Sequence, residues 1–73
     1  MGHDYQKTLA SIQGLIDIFE HDLVSINSDY GVALLNGDTV KCEMCKKAFS
    51  DTSYSISELK LALSTIEKLS SGA

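Results

Sequence analysis

Two cysteines, Cys42 and Cys45, have the most distinctive chemistry in this sequence. Their spacing occurs in zinc sites and in redox-active dithiols, because it lets two thiolates face one metal ion or each other. A redox dithiol also needs a strand of a βαβ unit before a helix that begins at the first cysteine, and the sequence lacks that context. A zinc site needs two further ligands, and His21 with one carboxylate could supply them; this is the alternative interpretation. We favour two small, half-buried structural thiols at the end of a hairpin.

The segment that contains these cysteines, VKCEMCKKAF at residues 40–49, resembles the first half of a two-Cys-two-His zinc finger. Cys42, Cys45 and Phe49 are in register with that family, and a predicted helix follows at about the right distance. Glu58 and Ala62 occupy the positions of the two histidines, and Ser55 occupies that of the core leucine. A degenerate zinc-binding adaptor that uses the two cysteines is therefore one alternative function.

The N-terminal third of the chain has a heptad pattern, in which apolar residues recur at alternating steps of four and three. This pattern predicts one long helix over residues 4–27, and the polar residues and glycine that follow supply stop signals. The apolar stripe is typical of the core face of a helical hairpin; the alternative is a structural homodimer formed through the stripe. Its members are Tyr5, Leu9, Ile12, Ile16, Phe19, Leu23, Ile26 and Tyr30.

The middle of the chain carries the signals of a β-hairpin. Residues 32–35 form a short apolar run, Asn36-Gly37 is a strong turn signal, and β-type residues resume at Thr39 and Val40. These features predict a hairpin within residues 32–49, with strands at 32–35 and 39–42.

A second helix is predicted over residues 55–70. Ser55 and Glu58 match the capping box, in which the two side chains satisfy each other's backbone N–H groups at the start of a helix. The predicted fold class is thus α+β: two antiparallel helices, the first one long, joined by a small β-hairpin in one domain spanning residues 1–73.

The charge of the chain points to a protein partner. The net charge is −4 with no arginine, and residues 1–38 hold six acidic residues against a single lysine. Nucleic-acid binding depends on Lys and Arg, so the composition argues against a nucleic-acid partner and favours a basic protein surface. Leu15 and Ile18 lie one turn apart beside the stripe and close to Asp22, and we predict these three residues as partner contacts.

The same pattern argues against a membrane span and against catalysis. No run of eighteen apolar residues occurs, and the N-terminus MGHDYQK lacks the apolar stretch of a secretory signal, so we expect a cytoplasmic protein. Asp17, Glu20 and Asp22 fall on different sides of the predicted helix, whereas catalysis needs groups that converge in a cleft. We therefore predict a non-enzyme with no catalytic residues and no cofactor, zinc on the two cysteines being the exception to consider.

As a whole, the small size, acidity and helix–hairpin–helix layout resemble small phage-encoded regulators of host RNA polymerase. The resemblance implies a protein that binds the β′ subunit of bacterial RNA polymerase in the host cytoplasm. It further implies that the protein blocks σ-dependent initiation by protein contact, without reading DNA.

Overall fold

The computed structural model describes residues 3–72, and the side chains of residues 5–71, as two antiparallel helices joined by a three-residue turn. Helix α1 spans His3–Leu35 with 33 residues, and helix α2 spans Thr39–Gly72 with 34 residues. Asn36, Gly37 and Asp38 connect them. The backbone of the hairpin extends over 55 × 14 × 11 Å, so the molecule is a rod. Its length matches the rise of one helix, since 34 residues at 1.5 Å each extend about 50 Å.

The turn between the helices is built from a helix C-cap. Gly37 has a φ of 67°, the left-handed conformation that glycine adopts without a steric penalty. The N–H of Asp38 donates to the carbonyl of Ala33 at 2.9 Å, and the N–H of Gly37 donates to that of Leu34 at 3.2 Å. This pair of hydrogen bonds is the Schellman motif, which satisfies carbonyls that the end of α1 would otherwise leave unpaired.

Asp38 then starts α2 as its N-cap. Its carboxylate Oδ1 accepts a hydrogen bond from the backbone N–H of Lys41 at 3.0 Å. Its own carbonyl accepts from the N–H of Cys42 at 3.0 Å, the first hydrogen bond of the new helix. Two consecutive residues therefore end one helix and begin the next.

The predicted α+β fold and its β-hairpin are wrong, because residues 32–35 and 39–42 are helical. A two-residue hairpin turn of type I′ needs positive φ at both Asn36 and Gly37. Among the described residues only Gly37 has it, so the Asn-Gly pair forms a C-cap. α1 accordingly continues past residue 27, through the predicted stop signals, to Leu35. β-propensity is a weak, context-dependent preference, and helix packing overrides it here.

The predicted capping box is wrong as well, because Ser55 lies in the middle of α2. Its hydroxyl donates to the carbonyl of Asp51 at 3.1 Å, one turn back in the same helix. Ser57 donates in the same way to Ser53 at 3.1 Å. These bonds leave the hydroxyls with a partner inside the helix, so the serine-rich stretch is accommodated in α2 at a small cost in stability.

The two helices pack through one heptad stripe each. On α1 the predicted stripe faces α2 and continues to Ala33; Ile16 and Ala33 are its most buried members, at 2% and 1% exposed. A matching stripe on α2, with residues in steps of three and four, packs against the α1 stripe. We call it the inner stripe. It consists of Cys42, Cys45, Phe49, Thr52, Ile56, Leu59, Leu63 and Ile66, all buried or half-buried except Phe49. The α1 stripe is thus covered within a single chain.

Within residues 3–72, neither helix has a stretch of the length and apolar character that crossing a bilayer requires.

Candidate protein-docking surface

A two-helix hairpin has a single internal interface, so it leaves much of its apolar surface in solvent. The buried apolar residues are Ile16, Ala33, Cys42, Cys45 and Ile56. Large exposed apolar side chains outnumber them and occur on both helices. Apolar side chains that share one helix face, with polar residues around them, are typical of a protein–protein contact. The candidate docking surface of this chain therefore lies on the outside of the hairpin.

The three predicted contact residues lie on one side of α1. Leu15 and Ile18 are 44% and 57% exposed, and Asp22 is exposed too. Steps of three and four place side chains above one another on a helix, so the three form a continuous line beside the α1 stripe. The structure therefore brings these residues together and leaves them accessible.

The same line extends further along α1 than the sequence indicated. Ser25, Asp29 and Val32 continue the alternating steps, and all three are exposed. We call the whole line the α1 flank, defined by Leu15, Ile18, Asp22, Ser25, Asp29 and Val32. Its continuation was missed because residues 28–35 were assigned to a turn and a strand, although the spacing itself was visible.

The α1 flank combines an apolar contact with unpaired negative charge. Asp22 and Asp29 make no hydrogen bond or ion pair to another described side chain, and no basic residue interrupts the flank. By contrast, Asp17 accepts a hydrogen bond from Gln13 at 3.1 Å, and Glu20 pairs with Lys60 of α2 at 3.7 Å. The two free carboxylates would complement a partner that carries Lys or Arg next to apolar residues.

The two cysteines lie in the interface between the helices. Both are free thiols, and both are buried on the face of α2 that meets α1. Cys45 also lines a groove of about 240 Å³ together with Ile26, Asn27, Tyr30, Lys46 and Phe49. This arrangement agrees with structural thiols, although they sit in a helix and the predicted hairpin end does not exist. The zinc-finger resemblance of residues 40–49 consequently does not extend to the backbone.

The donors considered for zinc are not brought together. His21 is nine residues from Tyr30, which shares the groove with Cys45, so it lies about 13 Å further along α1. In the part of the chain that the structure describes, no group of three or more His, Cys, Asp or Glu side chains is placed to hold a metal ion. In this structure, Cys42, Cys45, His21 and a carboxylate are therefore not gathered around one point, as a tetrahedral zinc site requires.

One polar pair marks the outer face of α2. Glu58 lies one turn further on from Tyr54. It raises the pKa of Tyr54 above its ordinary value, first by accepting a hydrogen bond from the hydroxyl and second through its negative charge. Both side chains are exposed and belong to a surface away from the α1 flank.

Comparison of the chain with protein-family models, with curated proteins and with solved structures finds no match.

Proposed function

We propose that this chain is a small, non-enzymatic regulator that acts by binding another protein. The observation that carries the proposal is the α1 flank, where Leu15 and Ile18 lie exposed beside the unpaired carboxylate of Asp22. Apolar side chains supply binding free energy, while the carboxylates select a basic partner and speed its association. A helix face of this kind suits a partner groove or helix with apolar residues flanked by Lys or Arg.

The partner to test first is the β′ subunit of bacterial RNA polymerase, and the site of action would be the host cytoplasm. Small size, net negative charge and a long first helix support this choice through the resemblance to phage-encoded polymerase regulators. The β-hairpin that contributed to the resemblance is replaced by helix. Binding at the site used by σ would block σ-dependent initiation without any contact to DNA, in keeping with the lack of arginine.

The proposal is tested by measuring binding of the full chain to purified bacterial core RNA polymerase with and without σ. We expect the wild-type chain to bind core enzyme and to compete with σ. Ile18→Asp should weaken binding by about tenfold or more, because it places a charge in the apolar part of the contact.

Val24→Asp is the matched control. Val24 is also exposed, at 69%, but lies on the opposite side of α1 from Leu15. The Val24→Asp substitution should leave the binding affinity within about twofold of the wild-type value, since exposed substitutions away from a contact have small effects. Failure of the wild-type chain to bind polymerase would reject the proposed partner. Equal loss in both variants would reject the α1 flank as the contact.

A further inference from the structure

A second exposed stripe runs along α2 on the face opposite the inner stripe. Its residues again recur in steps of four and three, so they share one face over about 37 Å of helix. Every member is exposed, and the large apolar ones are 64% to 70% exposed. We call it the outer stripe, and it consists of Val40, Met44, Lys47, Asp51, Tyr54, Glu58, Leu61 and Thr65.

The outer stripe is complementary to itself in the antiparallel direction. A two-fold axis between residues 52 and 53 would set each member opposite another member of the stripe in a second copy. Lys47 would face and pair with Glu58, and the hydroxyl of Tyr54 would donate to the facing carboxylate of Asp51 in place of Glu58. Symmetry makes each of these pairs occur twice. The full set of opposed pairs is Val40 with Thr65, Met44 with Leu61, Lys47 with Glu58, and Asp51 with Tyr54.

Neighbouring registers match less well. A shift of seven residues in one direction puts Asp51 opposite Leu61, which buries a carboxylate against an apolar side chain. A shift in the other direction keeps one ion pair, Lys47 with Asp51, but puts Val40 opposite Glu58 and reduces the opposed pairs from four kinds to three. The order of residues therefore favours one antiparallel register.

The elongated hairpin has enough surface for such an interface. A compact monomer of 7.9 kDa exposes about 4,400 Å² by the usual scaling of surface with mass, whereas the hairpin exposes 5436 Å². It can therefore bury the area of about 800 Å² that each partner contributes to a standard protein interface.

From these observations we infer that the outer stripe of α2 is an interface between two copies of this chain. The two α2 helices pack antiparallel at the centre of the dimer, and each α1 lies on the outside. This contact differs from a dimer through the α1 stripe, which α2 already covers. It also leaves the α1 flank in solvent, so self-association is independent of the proposed binding to polymerase.

Charge exchange across the stripe tests the inference by sedimentation equilibrium of the full chain over a micromolar concentration series. The wild-type chain should reach twice its mass of 7.9 kDa. Lys47→Glu and Glu58→Lys should each raise the dimer dissociation constant by about tenfold or more, because like charges then face each other twice. The double variant Lys47→Glu/Glu58→Lys should restore the wild-type constant to within about threefold, since the pairs are opposite in sign again.

Glu67→Lys is a matched control, because Glu67 is exposed on α2 but lies off the outer stripe. It should leave the dissociation constant unchanged, and far-ultraviolet circular dichroism should show the same helix content for every variant. A wild-type chain that stays monomeric throughout the series overturns the inference. The inference is also overturned if the single variants dimerise with the wild-type dissociation constant, or if the double variant has a dissociation constant as high as those of the single variants.

Discussion

Gly37 and Asp38 fix the point at which the chain reverses. Gly37 supplies the left-handed backbone that ends α1, and the carboxylate of Asp38 accepts from the N–H of Lys41 to begin α2. Neither residue packs in the core, yet the register between the two stripes depends on where this turn falls. At the scale of single residues, the fold therefore depends on backbone conformation and capping.

The N-cap assignment predicts opposite results for two substitutions. Asp38→Ala should lower the free energy of unfolding by about 1 kcal/mol, because the N–H of Lys41 loses its acceptor. Ser55→Ala should leave it unchanged or raise it by up to about 0.5 kcal/mol, since alanine is the better residue inside a helix. Urea unfolding followed by circular dichroism measures both. The reverse order would mean that the second helix begins at Ser55.

The conformation of Gly37 can be tested against a second glycine. Gly37→Ala should cost about 1–2 kcal/mol, because alanine is strained at a φ of 67°. Gly14→Ala should instead stabilise the chain by up to about 1 kcal/mol, since Gly14 lies inside α1. An added Cβ meets no atom within 4 Å at either glycine, so the comparison isolates the backbone. Thermal unfolding that moves both variants in the same direction would contradict the Schellman turn.

The Tyr54–Glu58 pair makes a prediction about titration. Glu58 raises the pKa of Tyr54 by accepting its hydrogen bond and by repelling the tyrosinate. Glu58→Ala should therefore lower the pKa of Tyr54 toward the ordinary value of 10.0. Ultraviolet absorbance against pH measures this change. Asp17→Ala, which removes an acid bonded to Gln13, should leave the tyrosine titration as it is. An unchanged curve for Glu58→Ala would show that the pair does not form.

At the scale of the helices, each element carries an inward and an outward face with separate roles. The α1 stripe and the inner stripe of α2 cover each other, which explains why the serine-rich and cysteine-containing segments are helical. The α1 flank and the outer stripe of α2 are left in solvent. Partner binding and self-association are our proposals for these two faces, and substitutions on exposed faces should leave the hairpin intact.

Two isoleucines on α1 separate the inward from the outward face. Ile16 is 2% exposed and Ile18 is 57% exposed. Ile16→Ala should cost about 2–5 kcal/mol, since it removes buried methyl groups and leaves a cavity. Ile18→Ala should change stability by no more than about 0.5 kcal/mol. Urea unfolding of the two variants decides the matter, and equal costs would show that the α1 stripe is not the core face.

The sequence predicts a helix well where its apolar pattern is the only structural signal, and poorly where turn, strand or capping signals occur in the same segment. The α1 stripe stands alone in its segment, so the existence of the helix and its inward face could be predicted. Between residues 32 and 55 the Asn-Gly pair, the β-branched residues and the Ser55–Glu58 pattern all have a second, local interpretation. Packing of the inner stripe against α1 outweighs these local preferences. The stripe is hard to recognise in the sequence because Cys42, Cys45 and Thr52, rather than large aliphatic residues, hold core positions.

The candidate site was predictable to the same extent. Leu15, Ile18 and Asp22 were found because they lie in the well-predicted part of α1. Asp29 and Val32 were missed because their segment was assigned to a turn and a strand. The outer stripe could not be found at all while residues 40–54 were divided between a strand and a loop, since a helical face exists only once the helix does.

At the scale of the whole molecule, the hairpin is a thin rod in which surface dominates over core. A pair of helices whose backbone extends over 55 × 14 × 11 Å has little interior, and its groove at Cys45 holds only about 240 Å³. Such a shape suits recognition along a helix face. The inner stripe and the outer stripe exist only if α2 runs unbroken alongside α1.

Backbone assignment by nuclear magnetic resonance tests that requirement most directly. We predict helical carbon chemical shifts without a break from Thr39 through residue 69, and contacts from Tyr30 to Cys45 and Phe49 across the groove. Extended shifts at residues 39–42, or coil shifts at residues 50–54, would contradict the continuous hairpin and both stripes placed on α2.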